Sequence, residues 1–185
     1  MNNDSPPSAP RAKETLGSGP RKNRDRDTGR VNPRVDSVNR RLRDAGVVVE
    51  VRILESRAHT AALAAAALGV EVGAIANSLI FDAGGVPLLV MTSGGHRVDT
   101  AKVAALLGIA NLRRADPDFV RTHTGQAIGG VAPVGHPEPI GTLVDIELAR
   151  YEQVWAAAGH PCTVFPTSYD ELLRITSGTA AEVGD

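Results

Sequence analysis

The sequence predicts an α/β domain of the α+β kind over residues 34–185, a mixed sheet or barrel with helices outside it, behind an arm of residues 1–33. Three observations predict it. Short β-branched runs interleave irregularly with helical patterns, without the regular alternation of a parallel doubly wound fold. Asp82-Ala83-Gly84-Gly85 places a tight turn between two such runs, which makes them an antiparallel hairpin. A chain of 185 residues with 42% hydrophobic content supplies one substantial core without calling for a second domain.

The elements follow in order. Residues 1 to 33 combine Pro6, Pro7, Pro10, Pro20 and Pro33 with Gly, Ser and dense mixed charge, so little there can be buried to offset ordering, and a disordered arm is expected. From Arg34, Val35, Val38, Leu42 and Ala45 recur at helical spacing until Gly46 closes the pattern. Val47 to Ile53 reads as a β-branched strand. Thr60 suits the N-cap of a helix through Leu68, ended by Gly69. Ala74 to Phe81 and Val86 to Thr92 are the hairpin strands. Asp99 or Thr100 caps a helix over Ala101 to Leu107, and Asn111 to Ala115 is a short strand. Asp116-Pro117 is a strong helix start, because proline at the first helical position forfeits no needed N–H. Beyond a glycine-rich loop, Gly141 to Ile146 reads as a strand, Glu147 to Ala158 as a helix, Thr163 to Phe165 as a strand and Asp170 to Ile175 as a final helix.

Composition excludes several functions. Aromatics make up 3% of the chain, too few for a platform on which single-stranded bases stack. The chain has 20 basic and 21 acidic residues, of which residues 1–34 hold eight basic and four acidic. The body is therefore acidic and a poor grip on polyanions by itself, while the arm is a candidate electrostatic tether to RNA. Cys162 is the single cysteine, which excludes an internal disulfide and a cysteine-built zinc site. The N-terminus has no apolar run and no segment reaches the roughly 18 apolar residues of a membrane span, so a cytoplasmic, membrane-free protein is expected. The five histidines, 59, 96, 123, 136 and 160, form no i, i+4 pair with a nearby carboxylate, and neither metal nor cofactor is expected.

Chemistry concentrates in Thr124-Gly125-Gln126-Ala127-Ile128-Gly129-Gly130-Val131-Ala132-Pro133-Val134-Gly135. Its glycines allow close backbone approach to a ligand, and Pro133 fixes one φ and removes one donor. The N–H groups of Gly130, Val131 and Ala132 can then converge as an anion or oxyanion site requires; a plain tight turn is the blander alternative. Asp145, inside the apolar run Leu143 to Ile146, needs partners: it can orient this loop, bind a substrate amine, or cap the helix expected from Glu147. Asn77 and Ser78 point to opposite faces of their strand. Cys162 reads as a small core residue.

Taken in order, Gly69-Val70, Ile75-Ala76-Asn77-Ser78-Leu79-Ile80-Phe81, Gly95-His96-Arg97-Val98-Asp99, Ala115-Asp116, Thr124-Gly125, Gly129-Gly130-Val131-Ala132-Pro133 and Asp145 resemble the YbaK/ProX-type aminoacyl-tRNA deacylases across roughly Val49 to Val183. The resemblance implies a barrel-like, mainly antiparallel mixed sheet surrounded by helices. It implies hydrolysis of the ester joining a wrong amino acid to transfer RNA, with mischarged tRNA as partner and an aminoacyl-tRNA synthetase as a second candidate. Such editing is needed because a hydrophobic pocket gains only ~1–3 kcal/mol per methylene, so amino acids of similar size are mischarged. On this reading Gly129, Gly130, Val131, Ala132, Pro133 and Asn77 form the catalytic set, with Asp145, Gly95, His96, Gly135 and His136 around the substrate. Many members carry lysine where this chain has Asn77 and serine where it has Ala132. Asn77 keeps a donor without the charge, which motivates an alternative: a weak or inactive module that binds an aminoacyl group or aminoacyl-tRNA.

Overall fold

The computed structural model describes residues 32–55 and 60–185, besides Met1. The expected arm lies, through residue 31, outside the described residues, as does His59. Helix α1, Pro33–Asp44, starts one residue earlier than the spacing predicts, because Asn32 Oδ1 accepts from Arg34 N at 3.0 Å and Pro33 occupies the first turn. It buries Val35, Val38 and Leu42. The strand expected over Val47 to Ile53 shrinks to β1, Arg52–Ile53. Its one ladder partner is the strand carrying Val164, so most of the β-branched run has nothing to pair with, and Val48 is 87% exposed.

The hairpin forms as expected from β2, Ile75–Asp82, and β3, Pro87–Ser93, in register from Ala76↔Ser93 to Asp82↔Pro87. Asp82 closes it. One carboxylate oxygen accepts from Gly85 N and the other from Arg113, at 2.7 Å, and these contacts hold its pKa below the usual value. Strand β4, Arg113–Arg114, pairs with the far end of β2. Strand β5, Gly141–Asp145, runs parallel to β3, and β6, Val154–Ala157, runs parallel to β2. Strand β7, Thr163–Thr167, is antiparallel to β6, and β8, Thr179–Ala181, is parallel to β5. The sheet order is β1-β7-β6-β2-β3-β5-β8 with β4 beside β2, a mixed sheet with four antiparallel and three parallel pairings among the described residues.

Helices α2, Ala61–Leu68, α3, Thr100–Leu107, α4, Pro117–Thr124, and α5, Tyr169–Thr176, flank this sheet. Thr60, Asp99 and Asp116 cap their helices through side-chain oxygens, and Gly69, Gly108 and Gly125 end them in the left-handed region.

The helix expected over Glu147 to Ala158 does not form. A short 3-10 turn, Ile146–Arg150, leads instead into β6, where Val154, Trp155 and Ala156 are buried between β2 and β7. A short apolar run suits either element, and here the neighbouring strands decide it. Strand β8 is an addition, since its three residues carry no periodic signal of their own.

Buried side chains gather in three clusters. Val38, Leu42, Ile80, Leu89, Met91 and Phe165 belong to one, and Phe81, Val90, Val103 and Leu143 to the second. Ala64, Ala65, Ile75, Trp155 and Val164 form the third. Along one edge of β2, β6 pairs only with Ile75 and Ala76 and β4 only with Phe81 and Asp82. Residues 77 to 79 therefore have no ladder partner on that edge among the described residues, and the candidate site opens there.

Candidate active site

A cavity of about 100 Å³ opens at this gap. Ala61 and Ala64 of α2, Asn77 and Ser78 of β2, Trp155 of β6, Gly129 and Val131 of the glycine loop, and Cys162 line it. Small side chains make the room: the apolar wall from α2 is alanine. Cys162 is only partly buried and sits at φ 65° in the turn from His160 to Thr163, so it lines the cavity and does not fill the core as expected.

The glycine loop is fastened from within. Gln126, 3% exposed, accepts from Ala132 N through Oε1 at 2.7 Å, while its own N–H donates to Thr124 Oγ1 at 3.0 Å. Gly130 N donates to Ala127 O at 3.0 Å. Two of the three amides expected to converge on an anion are thus engaged inside the loop, because a buried N–H must find an acceptor before any ligand arrives. Among the described residues, the Val131 and Gly129 amides have no acceptor, and both residues line the cavity. Gly129 holds φ 84°, which glycine adopts without strain. At Gly130 an added Cβ would stand 2.5 Å from His160 C and Pro161 N, so this residue lets the loop lie flat on the turn before β7. The need for Gln126 was not read from the sequence; its signal was a lone amide between a helix-ending glycine and a glycine loop.

Asn77 and Ser78 do face opposite ways. Ser78 Oγ donates to Met91 Sδ at 3.2 Å, toward the cluster of Val38 and Leu42. Asn77 is half-buried and also borders a second cleft of about 490 Å³, lined by Thr92, His96, Arg97, Thr100 and Arg114. No carboxylate lies within ion-pair distance of Arg97 or Arg114 among the described residues.

The remaining predicted residues fall elsewhere. Asp145 is fully buried. Its Oδ2 accepts from Thr92 Oγ1 at 3.2 Å, from Ser93 N at 3.1 Å and from His96 Nδ1 at 3.1 Å, and its Oδ1 accepts from Glu147 N at 3.1 Å. It caps the turn after β5 and pins the segment after β3, where Gly95 N donates to Ser93 Oγ at 3.3 Å. Gly135 packs on Val38 of α1, and His136 donates from Nε2 to Ala132 O at 2.9 Å, so both brace the loop from the side away from the cavity. Burial pulls the His136 pKa below 6.5, and the bond to Ala132 opposes that shift. Among the described residues no three His, Cys, Asp or Glu side chains stand together as metal ligands, and no helix is long and apolar enough to cross a membrane.

A mixed α/β sheet whose broken edge carries a small cavity, with uncommitted amides on a glycine loop beside it, defines a protein with hydrogen-bond donors set next to a small pocket. The comparisons narrow that class. The family model of the aminoacyl-tRNA editing domain matches residues 55–175, and the chain belongs to this family. It is 32% identical over 128 residues to the uncharacterized protein YwhH of Bacillus subtilis, covering 69% of this chain and 81% of that one. It is 35% identical over 91 residues to a proline--tRNA ligase of Nitratidesulfovibrio vulgaris, covering 49% of this chain and 16% of the ligase. The crystal structure of a candidate trans-editing enzyme for prolyl tRNA synthetase superposes with TM-score 0.79 at 38% identity, over 84% of this chain and 99% of that one. The expected fold class and family are thereby established.

Proposed function

We propose that this chain hydrolyses, in trans and in the cytoplasm, the ester between a wrongly attached small amino acid and the 3′-terminal ribose of tRNA. Water adds to the ester carbonyl, the carbonyl oxygen takes the developing negative charge, and the carbon–oxygen bond to ribose breaks as that oxygen gains a proton. The observation that carries the reading is the pair of cavities meeting at Asn77. One, of about 100 Å³, suits a small side chain; the other, of about 490 Å³, offers Arg97 and Arg114 to the phosphates of the RNA end. The Val131 and Gly129 amides and the Asn77 side chain are the donors for the carbonyl, while Gly130, Ala132 and Pro133 hold them in place. Gly95, His96 and Asp145 fix the floor of the larger cleft, and Gly135 and His136 support the loop. Positioned donors of this kind are the large term in acyl transfer, each typically worth ~10²–10³ in rate.

The similarity to a proline--tRNA ligase favours the tRNA for proline carrying a wrong amino acid as substrate and the synthetase as a partner. In the division of the chain at residue 33, the arm with its surplus of basic residues acts as an RNA tether. The test is release of amino acid from purified tRNAs carrying correct and incorrect residues. Release from a tRNA for proline carrying a wrong amino acid, well above the buffer rate, is expected; buffer-rate release from every one removes the enzyme reading. Asn77 favours a second reading, a binding module with little turnover, since an amide replaces a charge at the cavity wall. Asn77→Lys separates the two: a rate rising from near zero favours the module, and an unchanged or lower rate favours an enzyme built around asparagine.

A further inference from the structure

A residue of the cavity wall carries one more donor that the glycine loop and Asn77 do not account for. Trp155 is 3% exposed, yet its indole Nε1 has no hydrogen-bond partner among the described residues. Buried polar groups are almost always satisfied, and one that is not calls for an explanation. Here the residue lines the cavity. Trp155 stands opposite Ile75 in the parallel pairing of β6 with β2, so it shares a sheet face with Ile75 and with Asn77 two positions on. Its ring is held in place, with the Arg52 guanidinium carbon 4.8 Å from the ring centroid and Ala64 and Val164 in the same apolar cluster.

We infer that Trp155 is a substrate-binding residue whose Nε1–H donates to an oxygen of the aminoacyl ester, the carbonyl oxygen above all. This rests on the editing reading and adds to it. An indole N–H is a donor only, which excludes the substrate's ammonium group as its partner and leaves the ester and ribose oxygens. It also accounts for the loop. With the Gly130 and Ala132 amides engaged internally, the carbonyl would otherwise meet fewer donors than the sequence promised.

Trp155 is the chain's single tryptophan, so its indole proton is one resolved resonance in the full-length protein. Titration with 3′-alanylamino-adenosine, a non-hydrolysable amide in place of the ester, is expected to move that resonance downfield. Saturation with the analogue, seen at other amides, while the indole proton stays in place overturns the inference. Trp155→Phe keeps most of the ring and deletes the donor. It should lower kcat/KM on mischarged tRNA about 10- to 100-fold, between the loss of an ordinary hydrogen bond and that of an oxyanion donor. Its melting temperature should equal or exceed that of the parent, since an unpartnered buried donor is removed. Parental kcat/KM in a folded Trp155→Phe protein overturns the role of Trp155 alone. A parent protein that hydrolyses no mischarged tRNA overturns the editing reading instead. Where the variant fails to fold, the resonance decides.

Discussion

Two buried polar groups of this molecule contrast. Asp145, at the end of β5, has four donors bound to its two oxygens; Trp155 Nε1, in β6, has no partner among the described residues. Both lie in strands that were given apolar neighbours by the sequence, and both are nearly inaccessible to water. The saturated group belongs to the architecture, because it joins the end of β3 and the segment after it to the turn that follows β5. The unsatisfied one borders the cavity, where a ligand can complete it. What the difference teaches is that burial alone does not distinguish a structural polar group from a functional one. The number of partners already in place does.

Removing Asp145 should give the largest effect on the structural side of that contrast. Asp145→Ala strands donors from Thr92, Ser93, His96 and Glu147 and is expected to destabilise the fold by about 3–5 kcal/mol in urea denaturation, the range for breaking a buried charged network. Asp145→Asn keeps the shape and part of the acceptor capacity and should lose about half as much. A loss near zero for the alanine variant would erase the contrast.

Gly130→Ala sharpens the functional side. Its Cβ would enter space held by the His160–Pro161 backbone, so the loop must move and carry Val131 with it. Overpacking of this sort costs about 1–3 kcal/mol. The expected loss in deacylation is larger, roughly 100-fold, since small displacements of positioned groups are costly in rate. Equal fractional losses of activity and of folded protein would mean that the loop serves stability alone.

The smallest effect concerns His136. Its folded-state pKa lies below the ordinary 6.5 because burial disfavours the charged ring. As pH falls below 6.5 the unfolded chain takes up a proton that the folded chain refuses, so stability declines until the folded value is passed. This residue contributes at most about 1.4 kcal/mol per pH unit to the slope. His136→Gln should flatten the decline between neutral pH and about pH 5 in matched urea titrations, with stability at neutral pH nearly unchanged. An identical pH slope in both proteins would place His136 outside the loop's energetics.

Much of the fold was legible because its signals are local. Thr60, Asp99 and Asp116 cap helices by bonding amides two or three residues away, and Asp82 to Gly85 closes its hairpin within the turn. Trp155 and its neighbours suit a helix by sequence, since a run of five apolar residues becomes a strand only when β2 and β7 supply its ladder. The glycine-rich loop stands out in the sequence and lines the cavity, but the use of its amides does not stand out, because the acceptor for Ala132 N is a side chain six residues earlier whose rotamer the sequence does not reveal.

By itself, the order of residues determined the helix ends, the central hairpin, the family and the glycine loop beside the cavity, all of which depend on neighbours along the chain. Only the tertiary structure decided that β6 is a strand, that Gly130 and Ala132 use up their amides within the loop, and that Trp155 lines the cavity with its Nε1 unpartnered among the described residues. Those outcomes turn on pairings between segments far apart in sequence, and a hydrogen bond is assigned only once every competing acceptor has its place.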